Sequence, residues 1–388
     1  MARVCFLFNH DQVHQVAHSL PIALKLAAEG SAEVTLAATS DKIESHLRQT
    51  AGDALILCRL VRLDVQAASS KFVVKALDGI VPARKIAIYR DNLDFFRGFD
   101  ALVVSEKTSL LLKTRYGLHD LKIIHTRHGA GDRALGFGRQ SAHFDLVLVS
   151  GPKIARRLIA EAGVAPERIA IVGYSKFDLY ADRRAVSPFP DPTKPVVLYT
   201  PHPSPRLSSW HRMGASVLEA FYESGRYNLV FAPHVMMFAR DWTITVAPPA
   251  ITRMRQPPAH YSDVPHMLVD LGSAASTDMT YTNLADVYIG DVSSQVYEFL
   301  HRPRPCLHLN AHNVKWQGDP DYAHWQSGPV VGPHADIIDA VDRAIATHGD
   351  YLTAQRELLN DTFSVTAEPA TDRAARTIAA FAQGGSFA

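Results

Sequence analysis

Residues 285–300 read ADVYIGDVSSQVYEFL. DVYIG (286–290) is a short apolar run rich in aromatic and β-branched residues, the composition of a buried strand. It stops at Asp291. Ser293 and Ser294 then open a helical pattern that turns Val296, Phe299 and Leu300 to one side. In parallel sheets, ligands gather beyond the carboxyl ends of strands, where free N–H groups and hydroxyls at a helix start favour an anion. Asp291, Ser293 and Ser294 are therefore candidates for holding a phosphate group. The plain alternative for Ser293 is an N-cap.

The same strand-then-helix pattern extends in both directions. Upstream lie RVCFLF (3–8), EVTLAA (33–38), DALILC (53–58), ALVVS (101–105), KIIHT (122–126), DLVLV (145–149) and RIAIV (168–172). Amphipathic stretches separate them, such as 14–29 and PKIARRLIAEAG (152–163). Residues 186–195, VSPFPDPTKP, hold four prolines and read as a linker. The alternation then restarts with VVLYT (196–200), a helix near 212–224, NLVFA (228–232), HMLVDL (266–271), DVYIG and RPCLHL (304–309), and a last helix pattern covers 369–383. Short apolar strands between helices predict parallel sheets covered on both faces. The expected fold is α/β, with two Rossmann-like parallel-sheet domains at 1–185 and 186–388 facing a central cleft.

Bulk composition narrows the function. The 388 residues carry 40 Lys and Arg against 39 Asp and Glu, a net charge of +1, which argues against a nucleic-acid partner. The three cysteines, Cys5, Cys58 and Cys306, are far apart and odd in number, so neither a disulfide framework nor a zinc ribbon is expected. No apolar run reaches the length of a membrane span, and VCFLF is too short for a signal peptide. A cytoplasmic protein is expected.

Other residues just past strands are candidates. His128 and Gly129 follow KIIHT, and a histidine on such a loop suits a general base. His202 and His234 follow two strands of the second block, where ring N–H groups can donate to phosphate oxygens. Lys176, after Gly173, offers a charge to the cleft or is a solvated helix residue. His10, His14 and His18 share one helix face at i, i+4 and i+8. Three ligands so stacked cannot converge on one tetrahedral ion, so no metal and no cofactor are expected; His14 is kept as a substrate contact.

Taken in order, the His-Gly pair, G-x-x-K-x-D (173–178), the strand ending near His234 and ADVYIGDVSSQVYEFLHRPRP (285–305) resemble the CDP-glycerol glycerophosphotransferases of teichoic acid and capsule synthesis. The resemblance spans roughly 120–310. It implies a GT-B fold and transfer of a polyol phosphate from a CDP-linked donor to a hydroxyl of a glycan or lipid-linked acceptor. It implies His128 as base, His234 at the donor phosphates, and Asp291, Ser293 and Ser294 at the pyrophosphate, with Gly129 and His202 nearby. His14, Arg133 and Lys176 fall on the acceptor side. The chain departs from the family at Ala130 and Arg133, where the family has Thr and then Lys, and at Pro233-His234-Val235, where it has His-Pro. His202 stands where a Thr is usual. A nucleotide-sugar glycosyltransferase, a UDP-sugar 2-epimerase or a nucleotide-binding scaffold are the alternatives. The stretch 71–99 mixes Lys71, Lys75, Arg84, Lys85, Arg90 and Arg97 with Phe72, Ile86, Phe95 and Phe96. It reads either as a peripheral contact with the inner membrane surface or as an ordinary pair of amphipathic helices.

Overall fold

The computed structural model describes residues 1–9, 13–77, 83–127, 129, 131–245 and 250–385. They form two compact units. The first comprises 1–130, 137–179 and 361–388, and the second 131–136 and 180–360.

The first unit is built on seven strands: β1 (Ala2–Phe8), β2 (Ala32–Ala38), β3 (Arg59–Arg62), β4 (Ala101–Val104), β5 (Lys122–Thr126), β6 (Leu146–Val149) and β7 (Ile169–Ile171). They pair in the order β3-β2-β1-β4-β5-β6-β7, every pairing parallel. Successive strand residues point to opposite faces, and both faces are apolar, so both become core. Val4, Phe6 and Phe8 pack with Leu20, Ala23 and Leu26. Cys5 and Leu7 face the other way, in the cluster that holds Ile88, Tyr89 and Phe96.

The second unit holds β8 (Val196–Thr200), β9 (Asn228–Phe231), β10 (Trp242–Thr245), β11 (Ala250–Arg253), β12 (Met267–Val269), β13 (Val287–Gly290), β14 (Cys306–Leu309) and β15 (Val330–Val331). Six of them form a parallel sheet in the order β12-β9-β8-β13-β14-β15, while β10 and β11 make a separate antiparallel hairpin. Strand order reverses between β8 and β13, which pair through Thr200 and Gly290. Such a switch point leaves a crevice at the strand ends, because the two chains depart to opposite sides. Gly290 has no room for a side chain, since a Cβ there would overlap the Tyr288 ring.

Several expectations are corrected. DALILC is not a strand: Gly52–Leu57 is a 3-10 turn that leaves Ile56 89% exposed, and the strand begins at Arg59. Gly52 ends the preceding helix with φ 52°, which turns the chain before it can extend. The helix expected over 14–29 is split into a 3-10 segment, Val13–His18, and an α-helix, Leu20–Ala28, with Pro21 in its first turn. Residues 186–195 are not a free linker. Phe189 is buried, and the Asp191 and Lys194 carbonyls accept from Asn228 Nδ2 at 2.8 and 3.2 Å. A single cut at 185 also differs from the packing, for the last helix, Ala370–Ala382, belongs with the first unit. Its Ala374, Ala375, Ile378 and Ala379 complete the core over Leu20–Ala28. In the stretch 71–99, Phe96 is fully buried and Ile86 and Phe95 are half-buried, which leaves Phe72 exposed. Of the four apolar residues named in this stretch, one is core, two are half-buried and one is exposed. No described helix is long and apolar enough to cross a membrane.

Candidate functional site in the second unit

The switch point of the second sheet is organised by Asp291. The chain leaves β13 at Gly290, and the next side chain turns down into the protein, 1% exposed. Its Oδ1 accepts from the N–H groups of His202 (3.0 Å) and Val292 (2.7 Å). Its Oδ2 accepts from the N–H and the hydroxyl of Ser209, at 2.6 and 2.9 Å. Burial pushes this carboxyl above its usual range, against the opposing pull of those donors. Four protein donors saturate both oxygens. Asp291 therefore does not face a ligand as expected; it ties the 201–209 loop after β8 to the end of β13.

That loop carries His202, and the loop after β9 carries His234. Their rings lie 6.5 Å apart, centre to centre. Each Nδ1 accepts a backbone N–H, from Ser204 at 3.1 Å for His202 and from Met236 at 3.2 Å for His234. The ring proton of each must then sit on Nε2. Burial, with the neighbouring His234 and Arg133, holds His202 down to about 3, and burial holds His234 down to about 4. Near neutral pH both are uncharged hydrogen-bond donors. His234, expected at the donor phosphates and in catalysis, presents an Nε2 proton rather than a charge.

The third element is the segment 131–136, which comes from the His-Gly loop yet packs within this unit. Asp132, 2% exposed, anchors it. Its Oδ2 accepts from the Tyr297 hydroxyl at 2.5 Å and from the His324 backbone N–H at 3.2 Å, and lies 2.9 Å from His324 Nδ1. His324 Nε2 is in turn 2.9 Å from the Asp291 carbonyl, which also accepts from Trp325 Nε1 at 2.6 Å. One network thus fixes both Asp132 and the end of β13. Gly131 lies against Ser294, where a Cβ would come within 3.0 Å of the serine Cβ. Arg133 stands with its guanidinium 5.9 Å from the Tyr322 ring centre, close enough for its charge to depress His202.

The hydroxyls differ. Ser293 is buried, and its Oγ accepts from the Gln295 N–H at 3.4 Å, whereas Ser294 is exposed. The helix they open, Gln295–Phe299, has five residues and no side-chain cap bond. A helix so short adds little dipole, so any anion here depends on side chains. Arg133, His202, His234 and Ser294 supply one cation, two neutral N–H donors and a hydroxyl.

The remaining candidates belong to the first unit. His10 and His128 lie outside the described residues, as does the side chain of His14, whose backbone is in Val13–His18. Gly129 has φ 78°, a backbone form that favours glycine. His18 is buried, its ring 5.3 Å from that of Tyr174, and Lys176 is buried rather than solvated. Among the described residues, no group of three or more His, Cys, Asp or Glu is placed to hold a metal ion. The sequence reading missed Ser209, Asp132 and His324. Asp132 had a visible signal, an acidic residue closing the glycine-rich run HGAGD.

No protein-family model matches the chain, and no curated protein matches its sequence. Solved structures do match. The wall teichoic acid polymerase TagF aligns over 98% of this chain and 88% of its own, with TM-score 0.59 and 13% identity. A Listeria monocytogenes protein assigned as a UDP-N-acetylglucosamine 2-epimerase aligns over 99% and 96%, with TM-score 0.55 and 13% identity. The kitacinnamycin glycotransferase aligns over 97% and 98%, with TM-score 0.55 and 14% identity. With its two parallel α/β sheets of seven and six strands, the chain shares the GT-B fold of these neighbours.

Proposed function

We propose that this chain is a transferase that takes a nucleotide-activated donor on its second unit and passes a polyol phosphate of the glycerophosphate type to a hydroxyl acceptor. The observation that carries the reading is the pair His202 and His234. Each is held neutral with its proton on Nε2 at the switch point of a parallel sheet, with Arg133 close enough to act on His202. A diphosphate suits such a set: its oxygens accept from both rings and from Ser294, and Arg133 neutralises charge. Donors fixed in advance by Asp291 and Asp132 need no reorganisation when charge develops on the leaving phosphate.

In the proposed reaction an acceptor hydroxyl attacks the β-phosphorus of a CDP-linked donor. The new P–O bond forms as the bond to the bridging oxygen breaks, and CMP leaves with that oxygen. The acceptor proton passes to His128, a role assigned from its place in the sequence. Cytidine as the base, a polyol as the passenger group, and a glycan or lipid-linked acceptor rest on the sequence resemblance. The fold likeness, shared among a teichoic acid polymerase, a 2-epimerase and a glycotransferase, supports a transferase of this fold and not the choice among donors.

The test is phosphorus NMR of the purified chain with CDP-glycerol and a polyol phosphate acceptor. The reading expects CMP and a new phosphodiester, with the rate in His128→Ala lower by about 10²–10⁴-fold. Consumption of UDP-sugars with CDP-glycerol left intact would replace it with glycosyl transfer or epimerisation.

A further inference from the structure

The hairpin β10–β11 is patterned inside out. Its register pairs Trp242 with Arg253 and Thr243 with Thr252, so Trp242, Ile251 and Arg253 share one face and Thr243, Thr245 and Thr252 the other. On a domain surface the apolar face of a hairpin is the one expected to turn inward. Here the threonines are partly covered, while Trp242 is 55% and Ile251 70% exposed. The arrangement is not a loose end. The hairpin base is closed by the Met254 N–H donating to the Asp241 carbonyl at 2.8 Å, with Met254 buried, and the Arg255 carbonyl accepts from Trp210 Nε1 at 3.1 Å. An anchored two-stranded hairpin that shows water its tryptophan and isoleucine has a face awaiting cover.

Charge selects what covers it. Residues 240–255 carry three arginines, Arg240, Arg253 and Arg255, against one acid, Asp241, and all four are exposed. The Arg253 guanidinium stands 5.9 Å from the Trp242 ring centre. A second copy of the same hairpin would oppose these cations with its own, and a nucleic acid gains nothing from Ile251. An anionic bilayer meets every feature: an indole at the headgroup level, an aliphatic residue reaching the acyl boundary, and guanidinium groups at the phosphates.

We propose that the β10–β11 hairpin is a docking surface for an anionic membrane, with Trp242 and Ile251 inserting and Arg240, Arg253 and Arg255 meeting lipid phosphates. It does not depend on which donor the chain uses.

The test is sedimentation of the full chain with phosphatidylcholine vesicles, with and without phosphatidylglycerol. Binding is expected with the anionic vesicles only, accompanied by a blue shift of emission that Trp242→Phe removes. Arg253→Ser should lower partitioning by about fivefold, and Trp242→Ala with Ile251→Ser by about tenfold or more. All three positions are exposed, so the urea midpoint should hold, which separates lost docking from lost folding. The proposal is overturned if anionic vesicles are not bound, if neutral vesicles bind equally, or if the double variant binds like the parent. It is equally overturned if these substitutions abolish a concentration-dependent dimer instead.

Discussion

Replacing Asp291 by Asn tests the organisation of the site at one atom. The fold, size and shape are kept, and the charge is lost. The carboxylate accepts from four donors, two on each oxygen. An amide has one oxygen, so its NH2 must face either the Ser209 N–H and hydroxyl or the N–H groups of His202 and Val292. The serine hydroxyl can rotate toward Tyr199, whose oxygen is 2.9 Å away, but a backbone N–H cannot turn. At least one buried N–H loses a charge-assisted bond, worth about 1.5–3 kcal/mol, and is left opposed by another donor, at about 1–3 kcal/mol more. Relief from burying a carboxylate offsets part of this, so the net loss should be about 2–4 kcal/mol. All four tryptophans, Trp210, Trp242, Trp316 and Trp325, lie in the second unit, so their fluorescence in urea reports its unfolding alone. With a slope of about 2–3 kcal/mol per molar urea, the midpoint should fall by about 1 M. A shift under about 0.2 M would refute the claim that Asp291 is the anchor of the 201–209 loop.

Other expectations follow from the same geometry. Both His202 and His234 titrate lower folded than unfolded, so the unfolded chain binds their protons first as pH falls. Their contribution is whole above about pH 6.5 and is lost toward pH 4 and 3, on the order of 1–2 kcal/mol each by pH 5. Urea midpoints compared at pH 8 and 5 should therefore drop, and His202→Gln with His234→Gln should flatten the drop; an unchanged slope would contradict the depressed pKa values. For Gly214→Ala, helix propensity alone predicts about 1 kcal/mol of stabilisation, but a Cβ would overlap the Trp210 ring. The expected outcome is destabilisation by about 1–3 kcal/mol with altered indole emission, and a more stable variant would show that Trp210 packs elsewhere.

The two parallel sheets were legible because strand runs such as VVLYT and DVYIG are apolar on both faces, the mark of parallel strands under helices, whereas the order of the strands was not read from the sequence. The site was legible in outline for the related reason that ligands gather past strand ends, which singled out His202, His234 and residues 291–294. The direction of Asp291 was not. An acid after a strand can face a ligand or turn inward, and the donors that draw it inward sit about eighty positions upstream, at His202 and Ser209. The partnership of Asp132 with His324 spans an even longer separation and leaves no local pattern. Local errors had local causes. Ile56 and Leu57 gave 53–58 an apolar look without burial, and Pro21 reset a helix that periodicity alone ran through. The hairpin of 242–245 with 250–253 was not singled out from the sequence, and the outward direction of its apolar face became known only when the fold placed it.

The central claim is that the second unit holds the diphosphate of a nucleotide donor through neutral His202 and His234 beside Arg133. Calorimetric titration of CDP-glycerol, CMP, UDP and UDP-sugars into the chain and into His202→Ala and Arg133→Ala tests it most directly. The account predicts that CDP-glycerol binds more tightly than CMP, that each substitution weakens it by about tenfold or more, and that CMP, which lacks the second phosphate, is affected less. Binding of CDP-glycerol that neither substitution changes, or no binding by any nucleotide, would contradict it.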